Sequence, residues 1–122
     1  MPNLNNGSIA LNIFNSISPM PAGVSGLLVN IVDTQRYFVE NYTGDTIGNT
    51  IAEKYQPAIS DFSTANVLKL MAVQDMGVQS VSVGDISTNN NNLLEMAKQF
   101  EERANMELKS LTKRLKFYKS RG

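Results

Sequence analysis

The sequence predicts an all-α fold: a three-helix bundle-like domain with a small β-hairpin between the second and third long helices, an extended N-terminal arm and a C-terminal tail. Three observations predict it. Apolar residues recur at spacings of three and four over three long stretches. Gly44 and Gly77 stand where the first two of those stripes stop. Between the second and third stripes the apolar period drops to two, around Gly84-Asp85. With 122 residues, 42% of them apolar and no Trp, one domain of modest core is expected. The expected organisation is an arm over 1–23, a helical domain over 24–112 with its hairpin at 80–88, and a basic tail over 113–122.

Residues 1–23 (MPNLNNGSIALNIFNSISPMPAG) mix turn formers with an alternating run, Ile9, Leu11, Ile13, and end in a Pro19-Met20-Pro21 break. The expectation is an extended arm. It is uncharged yet not core-like, so Ile9, Leu11, Ile13 and Phe14 are its candidate contacts with another surface; a free leader is the alternative. From Ser25 the stripe Val24, Leu27, Leu28, Ile31, Val32, Phe38, Val39, Tyr42 describes a helix of about five turns, closed by Gly44. Thr50 and Glu53 have capping-box spacing, but Pro57 obstructs a regular helix begun there. Either a short turn precedes Pro57 or Pro57 opens the second helix, whose stripe runs through Ile59, Phe62, Ala65, Leu70 and Val73 to Met76.

Val81 and Val83 then alternate with serines, Gly84-Asp85 suits a tight two-residue turn, and Ile86 starts the return strand. A lone hairpin is marginal in water, so this one needs neighbours in its own chain or in another. After Asn89–Asn92, with Asn92 and Glu95 spaced to cap it, a third helix carries Leu93, Ala97, Phe100, Ala104, Leu108, Leu111, Leu115 and Tyr118 without a miss.

Charge is distributed unevenly. Lysine plus arginine and aspartate plus glutamate balance at 11 each, yet residues 1–32 hold no charge. The last fifteen residues hold six cations, Lys109, Lys113, Arg114, Lys116, Lys119 and Arg121, and no carboxylate.

Without Cys or His there is no disulfide, no thiolate zinc site and no near-neutral proton shuttle. Ser110-Leu111-Thr112-Lys113 matches an acyl-transfer spacing with none of its partner motifs. Glu95, Glu101, Glu102 and Glu107, interleaved with Lys98, Arg103 and Lys109, read as solvated helix charges, and Asp85 alone makes no calcium loop. No catalytic residue, cofactor or metal is expected. Neither a secretory leader nor a bilayer-length apolar run is expected, and so no membrane association. The basic end, with Phe117 and Tyr118 among its cations, suits an acidic protein groove better than nucleic acid, because the rest of the chain is net negative and lacks a nucleic-acid motif.

Four segments, Val39-Glu40-Asn41-Tyr42-Thr43-Gly44, Glu53-Lys54-Tyr55-Gln56-Pro57-Ala58, the hairpin Val81 to Ser87 and Arg114-Leu115-Lys116-Phe117-Tyr118, occur in an order that resembles the small head-tail connector proteins of tailed bacteriophages, also called adaptor or head-completion proteins. The resembling run spans Ser25 to Gly122. The resemblance implies a homo-oligomer, usually a dodecameric ring, that sits below the portal at the capsid vertex, extends the DNA channel and receives tail or tail-terminator proteins. It implies a virion protein, located at the head-tail interface after assembly in the bacterial host cytoplasm.

Carried onto this chain, the resemblance makes Lys113, Arg114, Lys116, Phe117, Tyr118, Lys119 and Arg121 the portal-binding tail, with non-specific contact to DNA in the channel. It makes Val81, Val83, Gly84, Asp85 and Ile86 the hairpin that meets neighbouring subunits or the tail. The long uncharged arm departs from the family's short N-termini. The alternative function is a small nucleic-acid-binding or regulatory helical protein that uses the basic helix end.

Overall fold

Asn5 starts the first helix: its side-chain Oδ1 accepts the Ser8 amide at 2.8 Å, satisfying one of the donors that a helix start leaves open. A computed structural model of the chain describes residues 4–18, 20, 22–48, 50–73, 81–84, 86–88 and 92–121, with side chains described except at 4, 87, 88 and 112–121. The order is β1 (Leu4–Asn5), α1 (Asn6–Ser16), β2 (Ile17–Ser18), α2 (Ala22–Ser25), α3 (Leu28–Thr43), β3 (Thr50–Ile51), a 3-10 turn (Glu53–Tyr55), α4 (Gln56–Val73), β4 (Val81–Val83), β5 (Ile86–Thr88) and α5 (Leu93–Arg121). The expected all-α bundle with a small hairpin is what forms.

α4 is the axis of the bundle. Ala58, Ile59, Phe62, Ala65, Val67, Leu68 and Met71 are buried, and so are Asp61, Ser63 and Thr64, which leaves little of the helix facing water. The hydroxyls of Ser63 and Thr64 bond carbonyls one turn back, on Ile59 at 2.7 Å and Ser60 at 2.8 Å, so burial strands neither. α5 packs along α4 through Leu93, Ala97, Ala104 and Leu108, as their spacing predicts, and α3 contributes Leu28, Val32 and Val39. Gly44, at φ 79°, closes α3 by donating its N–H to the Glu40 carbonyl at 2.8 Å. The Glu40 carboxylate then accepts the amides of Ile47 at 2.7 Å and Gly48 at 3.2 Å, tying the loop to the helix that it leaves.

The N-terminal segment is not an extended arm. α1 spans Asn6–Ser16, and Ile9, Ala10, Ile13 and Ile17 are at most 4% exposed in the one core. The alternation of Ile9, Leu11 and Ile13 misled because Ile9, Ala10 and Ile13 form the helical stripe that burial selects, with Ile17 buried next to it at the start of β2. Leu11 and Phe14, on the other side of α1, are 59% and 45% exposed.

Two small sheets tie this segment down. β1 pairs antiparallel with β3, Leu4 opposite Ile51 and Asn5 opposite Thr50. β2 pairs with β4, Ile17 opposite Val83 and Ser18 opposite Ser82, giving a three-stranded sheet of order β2-β4-β5. The hairpin's neighbour is therefore in its own chain, and β4 is a central strand. Gly84, at φ 60°, makes the turn and donates its amide to the Ser16 carbonyl at 2.6 Å.

Other expectations change. Thr50 lies in β3, and the 3-10 turn after it has Ala52 at its N-cap with no side-chain cap bond, so the capping box does not form. That 3-10 turn runs straight into α4, so a turn precedes Pro57 and Pro57 is the second residue of the helix. The first predicted helix is broken at Gly26-Leu27 into α2 and α3. Phe38 and Tyr42, placed on its apolar stripe, are 43% and 49% exposed, Phe38 covering the edge of the Phe62 ring at 5.3 Å between centroids. The predicted end of the second helix, Met76-Gly77, lies outside the described residues.

Candidate interaction site

α5 is 29 residues long, about 43 Å at 1.5 Å per residue, whereas α4 has 18. Pro57, at the start of α4, lines a hollow together with Met106, Glu107, Ser110 and Leu111 of α5. Leu111 is half-buried against the core, and the helical backbone continues for ten more residues, about 15 Å, to Arg121. That stretch carries Lys113, Arg114, Lys116, Phe117, Tyr118, Lys119 and Arg121. Its backbone is helix; the contacts expected of those seven side chains lie outside the described residues.

The predicted hairpin residues divide by face. Val81 and Val83 are buried, whereas Ile86 is 56% exposed at the start of the outer strand β5. Gly84 is exposed at the turn, and Asp85 lies outside the described residues. The four predicted arm contacts divide too: Ile9 and Ile13 are core, while Leu11 and Phe14 face outward. Other large apolar side chains face out on separate elements, among them Val29 and Tyr37 on α3, Val73 on α4, and Leu94 and Met106 on α5. Between α3 and α4 lies an open groove of about 380 Å³ floored by Leu27, Ile31, Leu70 and Val73. Lys69 at its side is engaged by Glu101.

Charged side chains inside the bundle are held in pairs. Arg36, 5% exposed, donates to Asp33 from Nη2 at 2.7 Å and from Nε at 3.2 Å, and reaches Glu40 at 3.4 Å. Burial works against its charge, but the bonds to Asp33 and Tyr37 and the field of Asp33 and Glu40 more than offset it, and its pKa rises. Tyr55 donates its hydroxyl to Asp45 Oδ2 at 2.6 Å. Burial and that bond push the phenol up to about 12.

Sequence reasoning missed one cluster. Asp61, buried on α4, takes both arms of Arg103 from α5, Nε to Oδ2 at 3.0 Å and Nη2 to Oδ1 at 2.8 Å. Glu107, one turn further along α5, is not the solvated charge expected of it: its Oε1 has no exposed surface and no hydrogen-bond partner. Burial first, then a hydrogen bond with Asp61 and that residue's charge, push the Glu107 carboxyl up to about 7, against the opposing pull of Arg103. A signal was present: Asp61 is the one charged residue between Lys54 and Lys69, next to the apolar stripe of Ile59, Phe62 and Ala65, and an acid buried there requires a cation from elsewhere.

Among the described residues no group of three or more acidic side chains is placed to hold a metal, and no helix is long and apolar enough to cross a membrane. In comparisons with known proteins, no family model, curated protein or solved structure matches the chain.

Proposed function

We propose that this chain is a structural assembly subunit, a head-tail connector of a tailed bacteriophage, which forms a ring beneath the portal and docks onto it through the basic end of α5. One observation carries the reading: α5 continues as helix to Arg121, and its last ten residues hold five of the chain's cations and no carboxylate. A helical stem of that charge is suited to an acidic groove in a partner. Outward apolar side chains on four of the five helices give the lateral faces that a ring of copies would cover. The exposed Ile86 and the outer strand β5 are the part of the hairpin left for a neighbouring copy or the tail. Dodecameric symmetry, location in the virion and tail-side partners belong to the proposal and rest on the resemblance of the chain's segments to that family.

The N-terminal segment and the inner strand of the hairpin are satisfied within one copy, so they give no reason for the chain to oligomerise. The free chain is therefore expected to be a folded monomer that forms a ring on a portal template. Sedimentation with the portal of the phage that encodes it, comparing the full chain with one ending at Thr112, tests this. Co-assembly of the full chain alone agrees with the proposal; equal co-assembly of both rejects the assignment of the basic end.

The same cations favour a second reading, a small protein that binds nucleic acid through phosphates. Titrating duplex DNA against salt separates the two. Phosphate contacts make log affinity fall with log salt by about 0.9 per phosphate neutralised, and weak, salt-insensitive association excludes this reading.

A further inference from the structure

The hollow between the start of α4 and α5, about 480 Å³ and lined by Lys54, Pro57, Arg103, Met106, Glu107, Ser110 and Leu111, has one carboxyl, Glu107, in its wall, and Asp61 lies behind it as the partner of Arg103. One guanidinium serves two acids. Arg103 is committed to Asp61 through two N–H groups, at 2.8 and 3.0 Å, and this leaves Glu107 Oε1 enclosed with no donor. A buried carboxylate oxygen without a donor is costly, and two carboxyls bond to each other only with a proton between them. The charged groups around Glu107 are Asp61 from α4, Arg103 on the preceding turn of α5, and Lys54, from the 3-10 turn, on the same hollow.

We propose that Asp61, Arg103 and Glu107 form a proton-dependent clasp between α4 and α5: with one proton shared by the two carboxyls the clasp holds α5 next to the start of its basic end, and when both are charged it loosens. Leu111, half-buried against the core, is one turn beyond Glu107, so what happens at the clasp reaches the start of the basic end of α5. The clasp stands whatever partner the basic end meets.

The direction follows from the proton balance. The folded state holds the Glu107 proton up to about pH 7, whereas the unfolded chain releases it near 4.5. The contribution of this carboxyl to stability is therefore full below about 4.5 and is lost as pH rises through 7. The carboxyl pair thus joins α4 to α5 most firmly on the acid side of neutrality.

The experiment is an NMR titration of the full chain from pH 5 to 9, following the Glu107 side-chain carboxyl carbon together with amide exchange. The expected result is a Glu107 midpoint near 7 and protection factors over residues 105–111, corrected for intrinsic exchange, that fall about tenfold between pH 6 and 8 while those of α1 hold. A midpoint near 4.5, or protection that falls equally in α1 and α5, overturns the clasp. Glu107→Gln, which supplies a permanent donor in place of the proton, is expected to remove the pH dependence over residues 105–111. The same fall in that variant as in the wild type also overturns it. If the variant does not fold, the wild-type titration decides alone.

Discussion

Replacing Ile13 by Ala tests whether the N-terminal helix belongs to the core of a single copy. Ile13 is 2% exposed, so the substitution removes three buried carbons, about 2.4 kcal/mol of transfer free energy at about 0.8 kcal/mol each. The cavity left behind adds to this, and a total of about 3 kcal/mol lies within the usual range of about 2–5 for such truncations. For a chain of 122 residues that is a fall in Tm of roughly 9–15 °C, at about 3–5 °C per kcal/mol. The urea midpoint should drop by about 1.5 M at a slope of about 2 kcal/mol/M, with the slope unchanged. Phe14→Ala is the control: the next residue on the same helix is 45% exposed, and its truncation should cost less than about 1 kcal/mol. Thermal and urea unfolding of the isolated variants measure both. If Ile13→Ala and Phe14→Ala both stay within about 0.5 kcal/mol of wild type, α1 is not packed in the monomer, and the extended arm returns.

Gly44→Ala forces a side chain into the left-handed region at φ 79°, and should lower stability by about 1–2 kcal/mol in the same unfolding assay, although no atom stands in the way of the new Cβ. Arg103→Met removes the one group that pulls the Glu107 pKa down, so its NMR midpoint should move above 7. Tyr55 should ionise near pH 12 in an ultraviolet titration, above the ordinary phenol value near 10, and Tyr55→Phe should abolish that step. Because its folded pKa is raised, its contribution to stability is complete below the free-tyrosine value near 10 and is lost as pH climbs through 12. Ending the chain at Thr112 should leave the Tm within about 2 °C of the full chain, since it keeps every side chain of α5 found in or against the core among the described residues, through Leu108 and Leu111.

The long helices were legible because each buries one periodic face, and periodicity is local. Leu93, Ala97, Ala104 and Leu108 are buried as spaced, and Gly44 stops α3 because no other residue takes its φ so cheaply. The N-terminal segment was misread for a reason equally local: with no charge to mark a solvent face, an alternating triplet and a helical stripe fit the same residues. Asn5 before Ser8 was the helix-start signal in that stretch. Pairings such as Ile17 with Val83 join residues far apart in the chain, and neither segment alone shows that it has a partner. The Asp61–Arg103 bond, 42 residues apart, is hidden in the same way, and it makes Glu107 unlike the other acids of α5.

The most direct test of the assembly reading is electron-microscopic imaging of the purified portal mixed with the full chain or with the chain ending at Thr112. The account predicts an added layer of rotationally symmetric density under the portal with the full chain, and a bare portal with the shortened one. Bare portals in both mixtures, or the same added layer in both, would contradict it.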